Sequence, residues 1–220
     1  MSIIKHVIVS MAGMGSRLGK NCPKGLVDIG QHKLVWYLLQ NTFDIPDVRI
    51  VVGYCAEKVI DYVRSIRNDV TFVHNDIYET TSCAFSINMG CRDIDEPYLI
   101  VDGDLLLNCQ SFRQFVNQTQ DGKTLIGITL AKTQDAVFVE LDSQEKNILS
   151  FTRKPVSKWE WSGVAYINGF TIESSEQFIC DTLAKHLPLR CQPIDCYEID
   201  TPADYQLALE HLGELGYDLP

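Results

Sequence analysis

The chain of 220 residues has eight cysteines, at positions 22, 55, 83, 91, 109, 180, 191 and 196, and not one C-x-x-C pair. That spacing argues against a zinc site and against a secreted disulfide framework. It points to reduced thiols in a cytoplasm. No run approaches the ~18–20 apolar residues of a membrane span. The apolar start, Met1 to Val9, has no cleavage site after a long apolar core and reads as a buried strand. Positive charge is scarce: 19 Lys and Arg face 29 Asp and Glu, for a net charge of −10. A nucleic-acid binder is more often basic, so that class ranks low. Histidines are few as well (His6, His32, His74, His186 and His211), without metal spacing, and no Ser-His-Asp or Cys-His set stands out.

What the chain does have is 45% apolar residues and a mean hydropathy near zero, enough for a sizeable core. Residues 5–10 read as a strand leading into a glycine-rich loop. A helix follows over 33–43, a strand from Arg49 to Gly53, a helix from Ala56 to Ile66 and a strand from Val70 to His74. Next come a helix from Cys83 to Gly90 and a strand from Tyr98 to Asp102. Apolar strands alternating with amphipathic helices predict an α/β fold, with a parallel sheet covered on both faces. The rhythm then changes. Strands are expected over 124–131, 136–141, 147–153 and 162–171, a helix near 173–186, a short strand near 194–199 and a final helix starting at Thr201-Pro202. One domain over 1–220 is expected, with 1–122 the more helical part and 123–220 the more β-rich.

After the first strand comes Met11-Ala12-Gly13-Met14-Gly15-Ser16-Arg17-Leu18, then Pro23-Lys24. Two glycines directly after a buried strand let the backbone turn sharply and present N–H groups to phosphate oxygens. Arg17 offers a permanently charged planar fork and Lys24 a mobile point charge. A plain strand-to-helix turn would explain the glycines but not the cations. A dinucleotide fingerprint would need glycine where Leu18 stands, and the P-loop spacing is absent.

Ala-Gly-x-Gly-x-Arg-Leu followed by Pro-Lys resembles the signature loop of the sugar-phosphate nucleotidyltransferase superfamily. The resemblance implies an enzyme that joins an NTP to a phosphorylated acceptor and releases pyrophosphate. It also implies a Rossmann-like, mixed, mainly parallel sheet flanked by helices, with a small β-rich acceptor-binding portion, so that approximately 1–122 would be the NTP-binding part and 123–220 the acceptor-binding part with the second metal aspartate. Arg17 and Lys24 would then be the catalytic cations, and residues 11–16 would bind the nucleotide. Met11 departs from the alanine most members have.

Nucleotidyl transfer brings two polyanions together, so Mg²⁺ held on hard oxygen ligands is the expected cofactor. Asp102-Gly103-Asp104 ends a buried strand, the edge where open α/β sheets bind ligands, although a polar turn is an equally good reading of the bare motif. The resemblance makes Asp104 one metal ligand, with Asp102 as a supporting acid in the nucleotide site. It makes Asp200 the other ligand. Thr201 is as suitable a helix cap as Asp200, which frees that carboxylate. Glu198 and Asp204 are expected to face solvent or cap the helix.

Asn75 to Ser86 is similar to the choline-phosphate cytidylyltransferase branch, which implies Tyr78, Thr81 and Ser82 near the base and favours CTP over GTP or UTP. Helix capping explains Thr81 or Ser82 about as well. Arg153-Lys154-Pro155 resembles the Glu-Lys-Pro motif whose lysine contacts the acceptor phosphate, with Arg153 in place of the acid. Ser162-Gly163 resembles the acceptor-contacting segment. Trp161, with Trp159 across Glu160, either frames a cationic head group or packs in the core.

The partners implied are an NTP, CTP favoured, and a small phosphocholine-like or other capsule or lipid head-group phosphate. No nucleic acid and no membrane insertion are expected. A sugar-1-phosphate guanylyl- or cytidylyltransferase, and a non-catalytic nucleotide-sensing subunit of the same fold, remain the alternatives.

Overall fold

The computed structural model describes residues 4–20, 22–132 and 136–217. Thirteen strands and six α-helices follow in the order β1 (His6–Met11), β2 (Asp28–Ile29), β3 (His32–Lys33), α1 (Leu34–Asn41), β4 (Asp47–Val52), α2 (Ala56–Arg64), β5 (Val70–His74), α3 (Cys83–Gly90), β6 (Tyr98–Asp102) and β7 (Leu105–Leu107). Then come α4 (Cys109–Asn117), β8 (Leu125–Leu130), β9 (Phe138–Leu141), β10 (Asn147–Thr152), β11 (Trp159–Ile167), α5 (Ile179–Ala184), β12 (Leu189–Pro193), β13 (Cys196–Glu198) and α6 (Pro202–His211). Nine strands form one sheet in the order β5-β4-β1-β6-β11-β8-β12-β10-β9.

The first four of these are parallel, as their unbroken β-branched runs predict. Alternate residues of each strand feed opposite cores. Val7, Val9, Ile50 and Val52 pack with α1, α2 and α4 through Val35, Leu38, Val59, Val63, Phe112 and Phe115. Ile8, Val51 and Ile100 pack with α3 and α5 through Ala84, Ile87, Ile179 and Leu183. The mixed α/β sheet flanked by helices is therefore the architecture found. β1 lies between β4 and β6, so the strand order reverses at its carboxyl end. A crevice opens at such a point in doubly wound sheets.

β11 joins this half antiparallel to β6, with Val164 opposite Val101. β9 pairs with β10 and also reaches β11 at Glu160↔Phe138. The strands β11, β8, β12, β10 and β9 thus close a circuit, which leaves few free edges for a polar-faced sheet to expose.

Four elements differ from the sequence-based expectations as follows. α4 was not expected, although Asn108 caps it and Phe112, Phe115 and Val116 lie at helical spacing. β12 was not expected either. Its Arg190 and Gln192 hide the strand, which pairs on one side with β8 and on the other with β10. The helix expected over 173–186 shortens to Ile179–Ala184, because the Phe178 N–H is capped by the Asp181 carboxylate and sets a late start. β11 runs from Trp159 rather than from residue 162, and ends at Ile167. Among the described residues no helix is long and apolar enough to cross a membrane.

Candidate active site

The loop after β1 turns on Gly15, whose φ of 61° is left-handed and suits glycine. A Cβ there would stand 2.6 Å from Cγ of Lys24, so the missing side chain is also what lets the lysine pass. Gly13 meets no such constraint from the protein. A short 3₁₀ turn places Arg17 (Ser16–Leu18), and a second, begun by Pro23, places Lys24 (Lys24–Leu26).

The carboxylates come from two distant stretches stitched together. β6 ends in the turn Asp102-Gly103-Asp104 and continues as β7, which pairs with β13 so that Leu105 faces Glu198. The Ile199 N–H donates to the Asp104 carbonyl at 2.8 Å, bringing Asp200 beside Asp104. Gly103 donates its N–H to the Ser10 carbonyl, with no room for a Cβ against that backbone. Thr201 caps α6 in a capping box with Asp204: its hydroxyl accepts from the Asp204 N–H, and its own N–H donates to the Asp204 carboxylate at 2.8 Å. Asp200 is thereby released from capping, yet it is 8% exposed.

Lys24 Nζ donates to Oδ2 of Asp104 at 2.6 Å and to Oδ1 of Asp200 at 2.5 Å, while Arg17 pairs with Oδ2 of Asp200 at 2.5 Å. Burial alone would lower the lysine pKa. The charge of Asp104 and the hydrogen bonds to both carboxylates outweigh it and raise the ammonium well above its usual range. Asp102 lies behind them. Desolvation, then Asp104 and Glu198, push its carboxyl well up, against Lys24. Glu198 is exposed, as expected, but it also joins a carboxylate cluster that the sequence did not assign to it. Its side chain is accessible from the cleft, but one carboxylate oxygen each from Asp104, Glu198 and Asp200 lie within 4.8 Å of one another. Desolvation first, then those two acids, push Glu198 up to about 8. Three hard oxygen donors on a converging set suit a divalent cation such as Mg²⁺. The sequence signal for Glu198 was its period-2 spacing from Asp200, which puts both on one side of an extended segment.

These residues line a cleft of about 1310 Å³ at the carboxyl edge of the parallel strands. One wall includes Met11, Ala12, Gly13, Gly15 and Ser16, and the crossover residues Tyr78, Thr81 and Ser82, the residues expected to bind the nucleotide. Met14 is not part of the wall and is 45% exposed. The crossover is held from within. Asn75, buried, donates to the hydroxyls of Thr81 and Ser86 at 2.9 and 3.0 Å, and Ser82 caps α3 while donating to the Glu176 carbonyl at 2.7 Å.

On the other side the cleft reaches Arg153, Trp161, Ser162 and Gly163. Gly163, at φ 79°, packs flat on Asp102. Lys154 is exposed beyond β10 and does not line the cleft. Lys132, which the sequence did not single out, does line it. Its Nζ donates to the Thr129 hydroxyl at 3.2 Å and lies 4.9 Å from the Tyr197 ring centre. Both tryptophans pack against the core layer that contains Ile126, Ile128 and Val139, and of the two only Trp161 also lines the cleft.

Residues 7–163 match the family of MobA-like NTP transferase domains, and the chain belongs to that family. The class is thus that of the nucleotidyltransferases. Over 137 residues the chain is 26% identical to the bifunctional protein GlmU of Aquifex aeolicus (strain VF5), a match to 57% of this chain and 29% of that protein. The chain spans less than a third of the length of such curated relatives. The inositol-1-phosphate CTP transferase from T. maritima has the same fold at TM-score 0.78 and 16% identity, with 99% of this chain and 98% of that one covered. The CTP:phosphocholine cytidylyltransferase from Streptococcus pneumoniae matches at TM-score 0.74 and 22% identity, with 95% and 100% covered.

Proposed function

We propose that the protein joins an NTP, CTP favoured, to a small phosphorylated acceptor with release of pyrophosphate. The supporting observation is the meeting of Gly15, Arg17 and Lys24 with Asp104 and Asp200 in one cleft large enough for two small molecules. In this reading an anionic oxygen of the acceptor phosphate attacks the α-phosphorus. A new P–O–P link forms, the α–β anhydride breaks, and its electron pair leaves on pyrophosphate. No general base is needed, because the nucleophile is already ionised at neutral pH. Asp104, Asp200 and Glu198 would hold Mg²⁺, which supplies charge neutralisation between the two polyanions. Arg17 and Lys24 would take the triphosphate.

CTP is favoured by the Asn75–Ser86 crossover, whose likeness to the choline-phosphate branch is carried by Asn75, Tyr78 and the small hydroxyl residues. Lys132 and Arg153 are the acceptor-side cations on the cleft wall, a position that Lys154 lacks. Glu160 and Asp204, with Trp161 and Tyr197, add acidic and aromatic character to the cleft wall, which suits a cationic head group such as phosphocholine.

The test is a matrix of four NTPs against phosphocholine, phosphoethanolamine, inositol phosphate and sugar 1-phosphates, read as Mg²⁺-dependent pyrophosphate release. Turnover with CTP and a cationic acceptor is expected. Turnover only with a sugar 1-phosphate would replace the acceptor assignment, and silence in every well would leave a nucleotide-sensing subunit.

Glu160 gives a pH test of the head group. Desolvation raises its carboxyl to about 6, opposed by the Lys132 backbone N–H and ammonium and assisted by Asp204. Above that pH it is ionised and attracts a cation; below it the attraction fades. KM for a cationic acceptor should therefore rise as pH falls through about 6, and Glu160→Gln should raise it several-fold at pH 7.5 and flatten the profile. An unchanged profile in Glu160→Gln would remove this residue from the acceptor site.

A further inference from the structure

The carboxylates that would hold a metal are already bonded to a cation of the protein itself. Lys24 uses Oδ2 of Asp104 and Oδ1 of Asp200, and Arg17 uses the remaining Oδ2 of Asp200. The carboxylate of Glu198, the third member of the cluster, makes no hydrogen bond or ion pair among the described residues, and Lys24 acts on it only at longer range. Mg²⁺ bonds oxygen at about 2.0–2.1 Å and tolerates little distortion. A metal on the Asp104 and Asp200 oxygens would therefore stand within a few ångströms of the Lys24 ammonium, where two cations repel strongly in a half-buried site.

We propose that Lys24 is the resident counter-ion of this cluster, and that a divalent cation reaches Asp104 and Asp200 only by displacing it. This gives Lys24 a role beyond neutralising phosphate, and it rests on the reading of Asp104 and Asp200 as metal ligands. Glu198 is the carboxylate open to an arriving cation, and the ammonium must then find other anions. The phosphates of a nucleotide are such anions, and the Gly15 turn through which the lysine stem passes lies beside the loop that would hold them. Displacement costs little when the ammonium exchanges carboxylate for phosphate, and much when it exchanges carboxylate for water. Metal and nucleotide consequently strengthen each other's binding through one side chain, and by linkage the enhancement is equal in both directions.

The decisive experiment is Mn²⁺ binding to the protein alone, without nucleotide, followed by electron paramagnetic resonance of the free ion. Lys24→Met removes the competitor at nearly constant volume and should bind Mn²⁺ about tenfold or more tightly than wild type, within the usual range of coupling between sites. Lys24→Arg keeps the charge and should bind like wild type. Equal or weaker binding by Lys24→Met, with near-ultraviolet circular dichroism confirming its fold, overturns the proposal.

Asp104→Asn separates the two layers of the argument. If it fails to weaken Mn²⁺ binding, the metal assignment itself is wrong. If it weakens binding while Lys24→Met does nothing, only the competition is wrong. Wild-type protein supplies a test that needs no variant. Reductive methylation of Lys24, followed by peptide mass spectrometry, should speed up when saturating Mg²⁺ drives the ammonium out of its ion pairs. An unchanged rate at Lys24 under saturating metal would also refute the displacement.

Discussion

Asp104→Ala should abolish pyrophosphate release, by at least about 10³-fold, the scale of removing a principal source of transition-state charge stabilisation. Its side chain both joins the carboxylate cluster and receives Lys24, so the substitution would damage the proposed metal site and the lysine's placement together. The fold should survive. Asp104 sits in a turn, and the bond that secures it to Ile199 uses its backbone carbonyl. Removing one acid also relieves the repulsion that raises Asp102 and Glu198. A thermal melt within a few degrees of wild type, beside a lost activity, is the expected pair of results. Retained turnover would show that Asp104 is not a metal ligand.

The second large effect belongs to a residue with no side chain. Gly15→Ala should lower kcat/KM by roughly 10–100-fold, because a displaced group near the reacting centre costs about that much per ångström. The added Cβ falls 2.6 Å from Cγ of Lys24, near the root of the side chain, so the ammonium cannot keep both carboxylates by adjusting its tip. The left-handed φ of 61° adds roughly 1–2 kcal/mol of backbone cost. Gly19→Ala separates the two terms: its φ is 69°, but a Cβ there meets nothing within 4 Å. Both variants should lose similar stability in denaturant melts, and only Gly15→Ala should lose activity. Equal losses of activity would assign the effect to backbone strain alone.

Much of this site could be read before the fold was known, for reasons specific to each residue. The loop from Met11 to Lys24 is contiguous, so its glycines, Arg17 and Lys24 carry their meaning in one stretch of sequence. Asp104 ends an apolar strand, and Thr201-Pro202 marks a helix start so clearly that Asp200 is left over as a free acid. Glu198 was not legible in the same way, because its nearness to Asp104 depends on the β7–β13 ladder, and no local pattern announces that pairing. Lys132 was hidden for a similar reason, its environment being built by Thr129, Glu160 and Tyr197 from three separate segments. Lys154 shows the converse. Its motif was contiguous, but the chain carries it past the end of β10 and away from the cleft. Among fold elements, the parallel half was legible from continuous apolar strands, whereas β12 was not, since a strand bonded on both sides can bear polar side chains where its faces are only partly covered.

The ladder between β7 and β13 also has a meaning in time. As the chain leaves the ribosome, the loop, the first four sheet strands and Asp104 emerge well before the segment that carries Glu198 and Asp200. Non-local pairings form late, because the intervening chain must first be ordered. A nascent chain can thus assemble the half that surrounds Lys24 while the lysine has only one of its two carboxylate partners. The carboxylate cluster can be complete only once β13 has docked on β7. Until then Asp104 stands without Glu198 and Asp200, the two acids that complete its cluster.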